Sequence, residues 1–210
     1  MHIIESLQWR YATKKFDATK KLTSEQIEVL KNAFSLTATS FGLQPIKLVV
    51  IENKEIRESL VEHSFNQRQV ADASHLLVIC IQDDFTTEDI EKYFSLVKDV
   101  RQTPDEILNP FKDYLVDTFS SKTKEDMHTS FKNQAYIALG NLLNVCAVEK
   151  IDSCPMEGFN PEKYDEVLDL KSHNLKSALI LPVGHRAEDD FMKDLKKVRK
   201  PLDKSIIEIK

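Results

Sequence analysis

Two stretches constrain this chain more than any others. Residues 75–82 read HLLVICIQ and residues 176–185 read KSALILPVGH. Each is a continuous apolar run, and each predicts a strand buried on both faces rather than an alternating half-exposed one. Such strands require a covering layer on either side. IKLVVIEN (residues 46–53) is a further strand by its short, β-branched apolar run. IDSCPMEGFNP (151–161) reads as a strand end running into a turn, and the tail SIIEIK as a short strand.

The covering layers must be helical. Residues 2–9 read as a short amphipathic helix. Thr23 is a plausible N-cap, Gln26 closes a capping box, and Ile27, Leu30 and Phe34 mark one helical face. KEIRESLVEHS (54–64) reads as a helix, and TSFGLQP (39–45) as a loop. Residues 86–128 are charged and helical in pattern, broken near Pro104 and Pro110; the charge reads as a solvated face. In residues 131–150, Ala135, Ala138, Leu139, Leu142, Leu143 and Cys146 form one stripe, and Ile137 and Val145 a second. A helix apolar on more than one side is a buried one. Gly140 in its middle costs about 1 kcal/mol relative to alanine, which a close helix–helix approach would explain. Two readings stay open: an ordinary core helix, or a core helix that also packs at a subunit interface. With no linker or repeat, residues 1–210 read as one α+β domain, a sheet flanked by helices.

Composition removes several function classes. No run of 18 apolar residues exists, so no transmembrane helix is expected, and the start lacks a signal-peptide pattern. The net charge of −5 argues against general nucleic-acid binding. The six histidines are scattered with none at i, i+4 from another, so no metal site is expected. Cys80, Cys146 and Cys154 form no C-x-x-C pair and read as buried, reduced thiols of a cytoplasmic protein. The four glycines, Gly42, Gly140, Gly158 and Gly184, allow neither a G-x-G-x-x-G nor a P-loop. Any phosphorylated ligand must therefore be held by cationic and hydroxyl side chains.

Against this acidic background stand two basic stretches, RYATKKF (10–16) and LKKVRKP (195–201). Singly, each reads as a solvated basic face, PMEGF (155–159) as a turn, and FNQRQ (65–69) as a polar helix start. A reading that uses all four together carries more weight.

In chain order, RYATKKFD, TSFGLQPIKLVVI, FNQRQVADASHLLVIC, NQAYIALGNLL, PMEGF, LILPVGH and LKKVRKP resemble the FMN-dependent nitroreductase family. The resemblance is nearest to oxygen-insensitive nitroreductases and flavin reductases that use NADH or NADPH. It spans nearly the whole chain and is weakest over residues 85–125. It implies a central, mostly antiparallel sheet flanked by helices in an intertwined homodimer. It implies that Arg10, Lys197 and Arg199 bind the FMN phosphate, that Lys14 lies near the N1–C2=O edge of the ring, and that Asn66 bonds its pyrimidine part. Within Pro155, Met156, Glu157 and Gly158, the Glu157–Gly158 backbone would face N5 and O4. Ala38, Thr39 and Ser40 would reach FMN from the partner subunit, completing two shared sites. Three positions depart from the family pattern. Ala12 stands where a phosphate-binding serine is common, Tyr11 where many relatives have histidine or arginine, and Gln69 where close relatives have a second lysine near the flavin. The implied activity is hydride transfer from a nicotinamide to flavin N5, then to a second small-molecule acceptor: a nitroaromatic, a quinone or free flavin. No side chain is assigned a catalytic acid, base or nucleophile role. The alternatives are a flavin or dihydropteridine reductase, or a non-catalytic FMN-binding protein.

Overall fold

The computed structural model describes residues 3–210. Met1 and His2, the ends of the expected domain and first helix, lie outside the described residues. Strands β1 (Ile46–Ile51), β2 (His75–Gln82), β3 (Asp152–Ser153) and β4 (Leu175–Gly184) form one sheet in the order β1-β2-β4-β3. Every pairing is antiparallel, as the resemblance implies. β2 and β4 are central and buried along nearly their whole length. Successive side chains of a strand point to opposite faces. Leu77, Ile79 and Ile81 accordingly enter one hydrophobic cluster, and Leu76, Val78 and Cys80 the other. That is why the β2 sequence shows no alternation.

The helices are α1 (Ile3–Trp9), α2 (Ser24–Ser35), α3 (Lys54–Ser59), α4 (Gln69–Asp72), α5 (Thr87–Arg101), α6 (Asp105–Ser120), α7 (Lys124–Val148) and α8 (Pro161–Val167). Side chains of α2, α5, α6 and α7 fill the first cluster. The second is closed by Leu60, Val70 of α4, Phe159 and Tyr164 of α8. The capping box of α2 is present: Gln26 N–H donates to Thr23 Oγ1 at 3.2 Å, and Thr23 N–H to Gln26 Oε1 at 3.0 Å. The 39–45 loop holds a short 3-10 turn with Gly42 at φ +74°. A Cβ on Gly42 would stand 2.5 Å from the Tyr93 hydroxyl, so α5 rests against this loop through a position open only to glycine.

Several expectations are corrected. The tail SIIEIK forms no strand; among the described residues no strand lies beside it to pair with, and Ile207 and Ile209 are 91% and 94% exposed. Pro110 does not break its helix: α6 runs through it, and both Pro110 and Glu106, whose carbonyl loses its donor, are exposed to solvent. The break falls at residues 102–104, where Gln102 is left-handed. The 54–64 segment is helical only to Ser59 before a short 3-10 turn. Helix α7 begins seven residues early, at Lys124, because Thr123 caps it. Its first stripe is buried at Ala135, Ala138, Leu139, Leu142 and Cys146, but Ile137 is exposed. A Cβ on Gly140 would meet nothing within 4 Å, so no close helix approach inside this chain accounts for that glycine.

Candidate functional site

The two basic stretches line one cleft of about 480 Å³, walled by Trp9, Arg10, Tyr11 and Ala12 on one side and by Lys193, Lys196, Lys197 and Arg199 on the other. Backbone pairing brings them together. After β4 the chain runs back along residues 15–17, with Asp17 N–H donating to His185 O at 2.8 Å and Ala187 N–H to Lys15 O at 2.9 Å. Asp190 then locks the junction. It is 2% exposed, and its Oδ2 accepts from the Lys14 and Lys15 amides at 2.9 and 3.1 Å and from the Tyr11 hydroxyl at 3.0 Å. Its Oδ1 accepts from the Met192 amide at 2.9 Å. Burial would raise this carboxyl's pKa, but the hydrogen bonds from Met192, Lys15, Lys14 and Tyr11 hold it below the usual value. Its donors are all neutral, so it shapes the cleft without directly pairing with the cleft cations.

Those cations repel one another. Burial, then Arg199, lowers the pKa of Arg10; burial, then Arg10 and Arg199, lowers that of Lys197. Among the described residues none of the three forms an ion pair; Lys197 Nζ donates to the Arg10 carbonyl and Arg199 to the Val198 carbonyl. Arg10 Nε and Thr13 Oγ1 are buried and have no hydrogen-bond partner among the described residues. Converging cations with an orphaned buried donor fit an anion such as a phosphate monoester, which takes two or three charge-assisted bonds.

A second network stiffens the cleft wall. Arg186 donates to buried Asp152 through its amide at 2.8 Å and Nε at 2.6 Å. Its guanidinium lies 4.3 Å from the Trp9 ring centre and 4.5 Å from that of Tyr11, and Lys150 covers Trp9 at 4.2 Å. Each such cation–π contact is worth about 0.5–2 kcal/mol.

Beside the cleft, Ala12 bridges Ser153 in parallel, and Thr13 N–H donates to Ser153 O at 3.2 Å. This places Lys14 Nζ 4.0 Å from Cys154 Sγ, at the start of the PMEGF turn. Burial raises the pKa of that thiol while Lys14 opposes the shift, leaving Lys14 facing a neutral group. Met156 pairs with Ile180 of β4, and Pro155 is half-buried. Gln67 Nε2 donates to Gly158 O at 3.1 Å, joining FNQRQ to this turn. Asn66 is exposed and left-handed at φ 58°. Gln69 is buried at the start of α4.

All four basic and turn motifs thus meet in one region. Ala38, Thr39 and Ser40 do not join them within the chain. Ser40 N–H donates to Gln134 Oε1 of α7 at 3.0 Å, Thr39 Oγ1 accepts from Gln44 N–H at 3.2 Å, and Ala38 lines a shallow depression with Ile137 and Gly140. Sequence reasoning missed Asp190, Arg186 and Gln67. The acidic run EDD (188–190), a few residues before a basic stretch, was a signal for a structural acid, but nothing in its spacing says which of the three it is.

The model of the nitroreductase family matches residues 7–185. The chain is 32% identical over 209 aligned residues to the major NAD(P)H-flavin oxidoreductase of Aliivibrio fischeri, covering 96% of this chain and 95% of that one. It is 29% identical to the oxygen-insensitive NAD(P)H nitroreductase of Salmonella typhimurium across 100% of both chains. A chain from Exiguobacterium sibiricum solved in complex with FMN superposes with a TM-score of 0.83 at 16% identity, covering 100% of this chain and 98% of that one.

Proposed function

The chain belongs to the nitroreductase family, and from that premise we propose that it is an FMN-dependent NAD(P)H oxidoreductase that reduces nitroaromatics, quinones, free flavins or other planar acceptors. The observation that carries this reading is the cleft where Arg10, Lys197 and Arg199 converge without a carboxylate partner, beside a turn with free amide donors. Bound FMN would supply a reversible two-electron carrier. Arg10, Lys197 and Arg199 would hold its phosphate, and Lys14 would set positive charge at the ring's pyrimidine edge, with Asn66 bonding the same part. Among the described hydrogen bonds, the Glu157 and Gly158 amides donate to nothing, while the Glu157 carbonyl accepts from Phe159 N–H at 2.9 Å. The turn therefore offers two N–H groups that polarise a bound ring without titrating. With Ala12 in place of a serine and neutral Gln69 in place of a lysine, one phosphate bond and one ring cation are missing, which favours a weaker complex and a lower potential.

The test is reconstitution of the apoprotein, followed by NADH or NADPH oxidation with a nitroaromatic. A colourless protein that takes up no FMN rejects the proposal. Within the same assay, Arg199→Ala removes a charge-assisted bond worth about 1.5–3 kcal/mol, so FMN affinity is expected to fall roughly ten- to a hundredfold. Riboflavin, lacking the phosphate, should bind the variant as it binds the wild type. Equal losses for both flavins would reject the phosphate assignment.

The assembly proposed with this activity is a homodimer, in a cytoplasmic setting suited to its free thiols. Three features support it. Ile3, Val29, Leu36 and Val148 line an apolar groove across α1, α2 and α7. Ala38 lines a depression with open Gly140, and none of Ala38, Thr39 and Ser40 lines the chain's own cleft. The tail carries exposed Ile206, Ile207 and Ile209. Among the described residues no helix is long and apolar enough to cross a membrane. Light scattering is expected to give twice the 24.2 kDa subunit mass. Truncation after Lys204 should shift micromolar samples toward monomer; an unchanged dimer would remove the tail from the interface.

A further inference from the structure

We propose that Gln67 is a positioning residue that fixes the Glu157–Gly158 amides toward the flavin ring, an inference that rests on the proposed cofactor. Its side-chain amide donates to the Gly158 carbonyl at 3.1 Å, so that carbonyl is drawn into the protein. The Glu157 carbonyl is likewise engaged, by Phe159 N–H. The pairing of Met156 with Ile180 and the Asn160–His63 bond anchor the two ends of the turn, and between them the bonds to the Glu157 and Gly158 carbonyls set which way the two amides, without a partner among the described hydrogen bonds, point.

The fit leaves no slack. A Cβ on Gly158 would lie 2.9 Å from Gln67 Nε2 and 3.8 Å from the Phe65 ring. Gln67 reaches this place because Phe65 and Asn66 are both left-handed, at φ 53° and 58°. Consecutive non-glycine residues in that region are strained by roughly 1–3 kcal/mol each. Bonds from Asn66 N–H to Val61 O at 3.0 Å and from Gln67 N–H to Ser64 O at 3.1 Å hold the strained pair. A further bond, Asn160 N–H to His63 O at 2.8 Å, fastens the far end of the turn to the same segment. One side chain therefore couples Asn66, assigned to the pyrimidine part, to the amides assigned to N5 and O4.

The experiment titrates FMN and riboflavin into apoprotein carrying Gln67→Leu, Gln67→Glu or Gly158→Ala, and measures the midpoint potential of bound flavin in the leucine variant. Gln67→Leu should weaken both flavins by the same factor, about five- to tenfold, because the defect is at the ring and not at the phosphate. Its bound flavin should also show a lower potential. Gln67→Glu keeps the shape but its carboxylate accepts where a donor is needed, so it should lose at least as much. Gly158→Ala displaces Gln67 from the opposite side and should reproduce the common loss, which keeps the test decisive if a Gln67 variant fails to fold. Loss confined to FMN, wild-type affinity in Gln67→Glu, or an unchanged potential would overturn the proposal. Wild-type protein that binds neither flavin would instead reject the cofactor itself.

Discussion

Asp190→Ala is expected to lower FMN affinity by more than about a hundredfold and to destabilise the apoprotein by at least about 3 kcal/mol. Hydrogen bonds to a charged acceptor contribute roughly 1.5–3 kcal/mol each and are not additive. Here four donors lose their partner at once, three of them on the segment that carries Arg10 and Lys14. Asp190→Asn should be nearly as damaging, because an amide NH2 would face at least one of those donors. The pH dependence follows from the direction of the shift. The folded carboxyl lies below its usual value, so its stabilisation is complete above the unfolded pKa of about 3.9. It is lost as pH falls through the lower folded value. Thermal unfolding and flavin titration check the variants; either one with wild-type affinity would remove Asp190 from the organisation of the cleft.

The second large effect lies away from the cleft. Arg57 is fully buried, and its guanidinium donates to the carbonyls of Ala71 and Ala73, the latter at 2.6 Å, and through Nε to Glu52 O at 3.3 Å. It ties the end of β1 to the end of α4 just before β2. Burial lowers its pKa, with Glu58, Asp72 and Glu52 opposing that shift. Arg57→Met keeps much of the volume but strands the Ala71 and Ala73 carbonyls. An unsatisfied buried acceptor costs about 1–3 kcal/mol, so a loss of about 2–5 kcal/mol is expected. At roughly 2–4 °C per kcal/mol for a chain of this size, calorimetry should show the midpoint falling by about 5–15 °C. A shift under about 2 °C would mean that water or a neighbouring donor takes over those carbonyls.

Much of this architecture was legible because its causes are local. HLLVICIQ and KSALILPVGH announce two-sided strands, and Thr23 with Gln26 announces the start of α2 whatever surrounds it. The cleft cations stood out because glycine-poor sequence left no other way to hold a phosphate. What could not be read depends on tertiary context. Asp190 resembles its neighbours Glu188 and Asp189 until the backbone of Lys14 and Lys15 is laid over it. Arg57 looks like any polar helix residue until α4 closes above it. Pro110 signals a break, but an exposed helix face lets solvent serve the carbonyl it frees. The tail has the composition of a strand and, among the described residues, no strand to pair with.

The division of β2 between two hydrophobic clusters has a consequence for how the molecule comes apart. Leu77, Ile79 and Ile81 serve one cluster, and Leu76, Val78 and Cys80 the other. Neither half can melt alone, because losing one face of the strand leaves its other face attached to a backbone that has lost its support. The strand that separates the two cores is also what makes them cooperate. The PMEGF turn hangs on this same unit through the pairing of Met156 with Ile180. Local opening is therefore expected first in peripheral segments with fewer buried contacts, and the PMEGF turn is expected to open with the sheet it is pinned to rather than before it.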